Sequence, residues 1–215
     1  MQLKPIIPYL IIVFVSIIHT SCISTANFET GKTLGRDNSK VSIALNYQTS
    51  EPKTSSNGIY DPNDGGSVNI GYTYGLIDRL DIGIVACTNA NFILKTKFML
   101  TKPMDKFAFS VGASTNIFTY ISFTSLYHSN LTLFTSYDIN DVVTIYANPH
   151  LVYFPKNTNL NKENYEFAAC VNFGALFQLF HKNNRSLSIG IEYTNFAAMV
   201  YKQQTISFGL VYTGL

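Results

Sequence analysis

Strict alternation between apolar and small or polar side chains constrains the fold of this chain more than any other feature. From Tyr165 to Phe180 the odd-numbered residues form a continuous apolar series, and most even-numbered residues are small or polar. Successive side chains of a β-strand point to opposite faces, so the pattern predicts a strand whose two faces meet different solvents. The chain therefore needs an apolar medium on one side of a sheet and a polar one on the other.

The same alternation recurs along the chain and predicts about ten strands. After residue 22 no run approaches 18 consecutive apolar residues, so membrane-spanning helices are not expected there. The predicted strands are Val41–Tyr47, Ser67–Gly75, Leu80–Ala86, Phe92–Leu100, Phe107–Ser114, 126–137, 142–154, Tyr165–Phe180, Ser186–Thr194 and Ile206–Thr213. The count ranges from 8 to 12, because 117–137 and 142–154 alternate imperfectly and Pro149 cannot donate to a ladder.

Composition favours a membrane barrel over a soluble β-sandwich. Only 13% of the residues are charged, against about a quarter in an average soluble domain. The polar face of a sandwich meets water, but here that face consists mostly of Ser, Gly, Asn, Thr and Ala, which suits a narrow lumen. We therefore predict an all-β fold, an antiparallel transmembrane β-barrel. The balance of 15 basic and 13 acidic residues argues against nucleic-acid binding.

Connection lengths predict the orientation of the barrel. Four connections are tight and rich in turn residues, at 75–79, 101–106, 138–141 and 181–185. They alternate with mostly longer ones at 49–66, 117–125, 155–164 and 196–203, and 88–90 is the one short exception among these. Outer-membrane barrels have short periplasmic turns and longer extracellular loops. With an even number of strands, both termini are expected in the periplasm.

The first 22 residues read as an export signal. Lys4 precedes an apolar run that ends near Ile18 and is too short to span a bilayer, so a cleaved signal peptide is expected over 1–21. Ile18–Cys22 resembles a bacterial lipobox, which implies a lipid on Cys22. His19 stands where an apolar residue is usual, so ordinary signal-peptidase cleavage nearby is the alternative. The predicted organisation is completed by a periplasmic tether over 22–37 and a barrel over 38–215.

Two further segments resemble small bacterial outer-membrane β-barrel proteins. Ser207–Tyr212 has the polar-x-Gly-x-x-aromatic core of a barrel-assembly signal, although Thr213–Leu215 replaces the usual terminal aromatic residue, and Tyr74–Gly83 looks like a periplasmic hairpin. The resemblance implies the outer membrane of a Gram-negative bacterium, with outer-membrane lipid and the barrel-assembly machinery as partners. It covers about 38–215 and identifies no functional family.

The few ionisable residues of the inward parity are the candidates for function. They include Asp81, Lys95, Lys97, His150, Glu166 and Glu192. A hairpin centred on Asn89 places Asp81 opposite Lys97. On one interpretation these groups neutralise each other in a closed lumen, and the barrel is structural or binds an extracellular partner through its loops. On the other, Lys95 and Lys97 line a narrow pore for small polar or anionic solutes.

Catalysis is not expected from this sequence. His128 and Ser129 are adjacent, so on a strand they point to opposite faces and cannot act together. No G-x-S-x-G nucleophile elbow is present, and no Cys/His spacing suits a metal. We therefore predict neither an enzyme nor a cofactor or metal site.

Overall fold

In a computed structural model of the chain, the described residues are 28–50, 54–55, 58–59, 65–88, 91–102, 105–119, 129–153, 167–182, 185–197 and 202–214. The strands are β1 (Ser39–Ser50), β2 (Thr54–Ser55), β3 (Gly58–Ile59), β4 (Gly65–Ile77), β5 (Leu80–Cys87), β6 (Asn91–Met99), β7 (Phe107–Thr119), β8 (Ser129–Asp138), β9 (Val143–Tyr153), β10 (Phe167–Lys182), β11 (Arg185–Ala197) and β12 (Lys202–Thr213). Ten of them form a closed antiparallel barrel, and β2 pairs only with β3. The predicted all-β barrel of ten strands is confirmed.

The alternation in the sequence becomes the two surfaces of this barrel. In β1 the side chains of Ile43, Leu45 and Tyr47 are exposed on the outside, whereas Ala44 and Asn46 between them are buried. The other strands repeat the pattern, so large aliphatic and aromatic residues cover the outer wall and small or polar residues face the lumen. Among the described residues, no helix is long and apolar enough to cross a membrane.

The barrel closes where the first strand meets the last. β1 pairs with β4 on one side and with β12 on the other, so that Ile43 lies between Ile70 and Leu210. Closure leaves no unpaired edge strand among the ten strands of the barrel. One end of the barrel carries the connections 78–79, 100–106, 139–142 and 183–184, and we call it the tight-turn end; the connections 51–64, 88–90, 120–128, 154–166 and 198–201 leave the long-loop end.

Pro149 interrupts the ladder between β8 and β9. Thr132 pairs with His150 and Thr135 with Ala147, but no pairing is formed between these two positions. Proline has no N–H to donate. Side chains replace part of the ladder: the Thr135 N–H donates to the Asn148 amide oxygen at 3.3 Å, and the Thr135 hydroxyl donates to the Ala147 carbonyl at 2.5 Å. An outward-facing groove of about 570 Å³ lies beside Pro149.

The segment Phe28–Asn38, which precedes β1, fills part of the lumen, and we call it the plug. Phe28 and Glu29 are only 1% and 3% exposed, because inward-facing side chains of the barrel surround them. At the tight-turn end, the Asp37 N–H donates to the Gly75 carbonyl at 2.9 Å. Residues 28–37 of the predicted periplasmic tether over 22–37 thus lie against the lumen wall, and residues 22–27 lie outside the described residues.

Candidate functional site

A recess in the lumen wall holds the ring of Phe28. Its floor is formed by Gly190 on β11 and Gly209 on β12, where an added Cβ would lie 2.4 and 2.2 Å from ring carbons of Phe28. Ala44 and Val211 complete the apolar cluster around the ring. The absence of side chains at the two glycines therefore makes room for the inner end of the plug.

A glycine also lets the plug approach the opposite wall. The Gly31 N–H donates to the Ser136 hydroxyl at 3.0 Å, and the Gly31 carbonyl accepts a hydrogen bond from the Ser110 hydroxyl. A Cβ at residue 31 would lie 2.3 Å from the Ala108 carbonyl oxygen, far inside van der Waals contact. The plug is thus fitted to β7 and β8 at a position that only glycine can occupy without a shift.

Glu29 is the centre of an ion-pair cluster in the lumen. Its Oε1 lies 2.6 Å from Lys40 Nζ and 2.5 Å from Lys95 Nζ, and its Oε2 lies 3.0 Å from Lys97 Nζ. A carboxylate removed from water is stable only when it is paired and hydrogen-bonded. The three lysines, on β1 and β6, meet this requirement.

Asp81 extends the cluster towards the tight-turn end. It is the cross-strand neighbour of Lys97, which is the register that the sequence predicted, and its Oδ2 lies 3.3 Å from Lys97 Nζ. The Leu34 N–H donates to both oxygens of this carboxylate, at 3.1 and 3.2 Å. Asp81 therefore neutralises a wall lysine and also holds the backbone of the plug.

Further contacts join the plug backbone to the barrel wall. Lys97 Nζ donates to the Lys32 carbonyl at 2.6 Å, and Lys32 in turn forms an ion pair with Asp138 on β8. The Asn148 amide donates to the Glu29 carbonyl at 2.7 Å. Charged and amide side chains of the wall thus satisfy polar backbone groups that the plug carries into the lumen.

A second, largely neutral network surrounds Glu192 on β11. Its carboxylate accepts hydrogen bonds from the Tyr146 hydroxyl at 2.7 Å and from the Asn172 amide nitrogen at 2.8 Å. The Asn172 amide oxygen then faces His150 Nε2 at 2.8 Å, and Thr132 Oγ1 lies 3.3 Å from His150 Nδ1. Because an amide oxygen only accepts, Nε2 carries the proton that is shared with Asn172. The chain of contacts links four neighbouring strands, β8 to β11.

The two networks meet at a small cavity in the lumen. The cavity measures about 40 Å³, and Glu29, Lys95, His150, Asn172 and Glu192 are among its lining residues. A cavity needs about 10 to 15 Å³ of such space to hold a water molecule, so this one has room for water.

The structure brings together some of the residues predicted from sequence and separates others. Asp81, Lys95 and Lys97 belong to the cluster around Glu29, whereas His150 and Glu192 belong to the second network. Glu166 and Cys22 lie outside the described residues. Within the described ranges, no group of three or more His, Cys, Asp or Glu residues is arranged to hold a metal ion.

The residues of the site that were not among the sequence candidates include Lys40, Tyr146 and Glu29. Lys40 has the parity of the inward residues Ser42 and Ala44, so extending the predicted first strand by one residue would have included it. Tyr146 has the parity of His150, so the alternation of the predicted strand 142–154 would have included it. Glu29 precedes the first strand, and no pattern of alternation there signals insertion into a lumen.

Comparisons with known proteins connect this fold to outer-membrane barrels. No protein-family model and no curated protein matches the sequence. Among solved structures, an outer membrane channel from Pseudomonas putida F1 is similar with a TM-score of 0.54 and 8% identity, covering 88% of this chain and 99% of that one. The NanC porin is similar with a TM-score of 0.50 and 12% identity, covering 79% of this chain and 98% of that one. At these identities the likeness is one of fold: the chain has the architecture of outer-membrane β-barrels.

Proposed function

We propose that this chain is a non-enzymatic β-barrel of a Gram-negative outer membrane, that its own N-terminal segment closes its lumen, and that it acts at the cell surface through its extracellular loops. The apolar outer wall of the closed barrel supports a membrane location, because exposed aliphatic and aromatic residues of this density need lipid around them. The tight turns at one end support an orientation with both termini in the periplasm.

The main observation in support of a closed lumen is that the Glu29 carboxylate of the plug contacts three lysines from two strands of the wall. A diffusion pore needs a continuous aqueous path. Here the centre of the lumen is occupied by a segment whose charge and backbone groups are paired with the wall. Moving the plug would leave buried ammonium groups without their carboxylate, which opposes spontaneous opening.

Single-channel recording in planar bilayers tests this proposal. We expect the wild-type protein to give no conductance steps, and Lys95→Ala or Lys97→Ala to give none either while the remaining plug contacts persist. A steady, voltage-independent conductance of the wild-type protein would contradict the closed lumen.

The orientation needs a separate test on intact cells. External protease should cut the connection 51–64 and spare the connection 183–184. Cleavage at 183–184 with 51–64 intact would place the tight turns outside and reverse the proposed topology.

A second candidate function is a pore for small polar or anionic solutes that opens when the plug leaves. One observation favours it: among the described residues, Glu29 is the only carboxylate that contacts Lys40 or Lys95. Removal of the plug would leave a positively charged lumen. A variant lacking residues 28–37 should then conduct anions in preference to cations, and a variant that stays closed would exclude this pore.

A further inference from the structure

The three lysines of the lumen are arranged around a carboxylate in the way that a binding site surrounds its ligand. Lys40 and Lys95 both contact Glu29 Oε1, at 2.6 and 2.5 Å, and Lys97 contacts Oε2 at 3.0 Å. All three belong to the barrel wall, on β1 and β6, whereas Glu29 belongs to the plug. The hydrogen-bonded strands hold the backbone of the three lysines on the same part of the wall, so another carboxylate between them would meet the same ammonium groups.

We infer that Lys40, Lys95 and Lys97 form a binding site for a small carboxylate anion, and that Glu29 occupies this site as a tethered ligand. The site goes beyond the proposed closed-lumen function, because it assigns to the wall a ligand class that does not depend on what the outer loops do. If the plug is displaced, the three lysines would bind such an anion in place of Glu29.

Charge and burial both require an anion at this position. Lys40 and Lys97 are buried and Lys95 is nearly so, with side chains 7%, 7% and 11% exposed. Asp81 compensates Lys97 at 3.3 Å, but Lys40 and Lys95 depend on the Glu29 carboxylate. A planar anion with two oxygens reproduces the observed contacts, with one oxygen shared by two ammonium groups and the other bound to the third.

The space available selects for a small ligand. Glu29→Ala would delete the four atoms Cγ, Cδ, Oε1 and Oε2, and acetate has the same arrangement of two carbons and two oxygens. The neighbouring cavity of about 40 Å³ adds room for water beside the ligand, since one water molecule needs about 10 to 15 Å³ of such space. A tetrahedral oxyanion such as phosphate carries two oxygens more than the carboxylate whose contacts are observed.

Chemical rescue of Glu29→Ala in detergent micelles tests this inference. Unfolding is followed by far-UV circular dichroism in sodium acetate, sodium chloride and sodium phosphate at equal ionic strength. Acetate should raise the stability of the variant with a saturable dependence. At ten times its Kd the folded-to-unfolded ratio should rise about elevenfold, while chloride at the same ionic strength should have little effect.

Two variants serve as matched controls. Glu192→Ala removes the same four atoms in the same lumen, but the partners left behind are the neutral Tyr146 and Asn172, so acetate should not stabilise it. Glu29→Gln fills the space where acetate would bind and should also show no rescue.

The other possible outcomes of the rescue experiment also support or overturn the site. Equal stabilisation of Glu29→Ala, Glu192→Ala and the wild-type protein would be a general solvent effect and would overturn the inference. Rescue by phosphate as strong as by acetate would overturn the assignment to carboxylates. If Glu29→Ala does not fold in chloride, folding in acetate supports the site, and failure to fold in either salt overturns it. None of these results changes the expected conductance of the wild-type protein, so the proposed function stands or falls separately.

Discussion

Replacing Glu29 by glutamine preserves the shape of the side chain but removes the negative charge that three lysines contact. Lys40 and Lys95 are within about 5 Å of each other, since both bind the same oxygen at 2.6 and 2.5 Å. At an effective dielectric constant of 20, the repulsion between two such charges is about 3 kcal/mol. Breaking one buried ion pair by removing a partner costs about 3 to 5 kcal/mol. We therefore expect Glu29→Gln to lower the free energy of unfolding by about 3 to 5 kcal/mol.

The loss has an upper limit, because the variant can release its plug into water instead of keeping the lysines buried. Urea unfolding in detergent micelles, followed by far-UV circular dichroism, measures the stability, and bilayer conductance detects a released plug. Glu192→Gln is the matched control. Its partners Tyr146 and Asn172 are neutral, and we expect a loss of about 1 to 2 kcal/mol from weakened hydrogen bonds.

Two results would refute the reasoning. One is a Glu29→Gln variant that loses less than about 1 kcal/mol of stability and still conducts no ions. The other is an equal loss in the Glu29 and Glu192 variants, because the effect would then come from burial in general and not from the lysine cluster.

Three further predictions concern the plug and the N-terminus. Gly190→Ala should lower the free energy of unfolding by about 1 to 3 kcal/mol, because its new Cβ would lie 2.4 Å from the Phe28 ring. In a Phe28→Ala background this loss should largely disappear. A loss of the same size in that background would contradict the packing of Phe28 against Gly190. Burial raises the pKa of Glu29, but Lys40, Lys95 and Lys97 together hold it well below its usual value. A carboxyl group with a depressed pKa in the folded state stabilises the fold above the ordinary glutamate pKa of about 4.3, and this stabilisation is lost as pH falls towards the depressed value. The free energies of unfolding of the wild-type protein and Glu29→Gln, measured against pH, should therefore converge at low pH. Two parallel curves would contradict the depressed pKa. Cys22→Ala should abolish metabolic labelling with palmitate, because the acceptor thiol is lost, and labelling that persists would disprove lipidation at this residue.

The barrel could be predicted from the sequence because its two solvents impose opposite chemistry on neighbouring residues. In β1, Leu45 faces outwards and Ala44 inwards, and the same division fixes the face of Lys97 on β6. The short connection 88–90 between β5 and β6 also sets their register, so the opposition of Asp81 and Lys97 followed from the length of this hairpin. Local periodicity and turn length were sufficient for these features.

The plug could not be predicted in the same way, because its position depends on contacts that are distant in sequence. Gly31 is held by Ser110 and Ser136, and Glu29 by lysines of two strands. A segment that contains Phe28, Glu29 and Gly31 without alternation has the composition of a linker. The complementary information lies in the wall, where an excess of inward lysines and paired glycines marks the space that the plug fills.

The recess for Phe28 has a consequence for the order of assembly. The ring rests on Gly190 of β11 and Gly209 of β12 and contacts Ala44 of β1, so its binding site spans the seam where the first strand meets the last. The contact cannot form until the final strand has been synthesised and paired. The N-terminal segment of the chain can therefore reach its final position only in a completed barrel, which couples sealing of the lumen to closure of the wall.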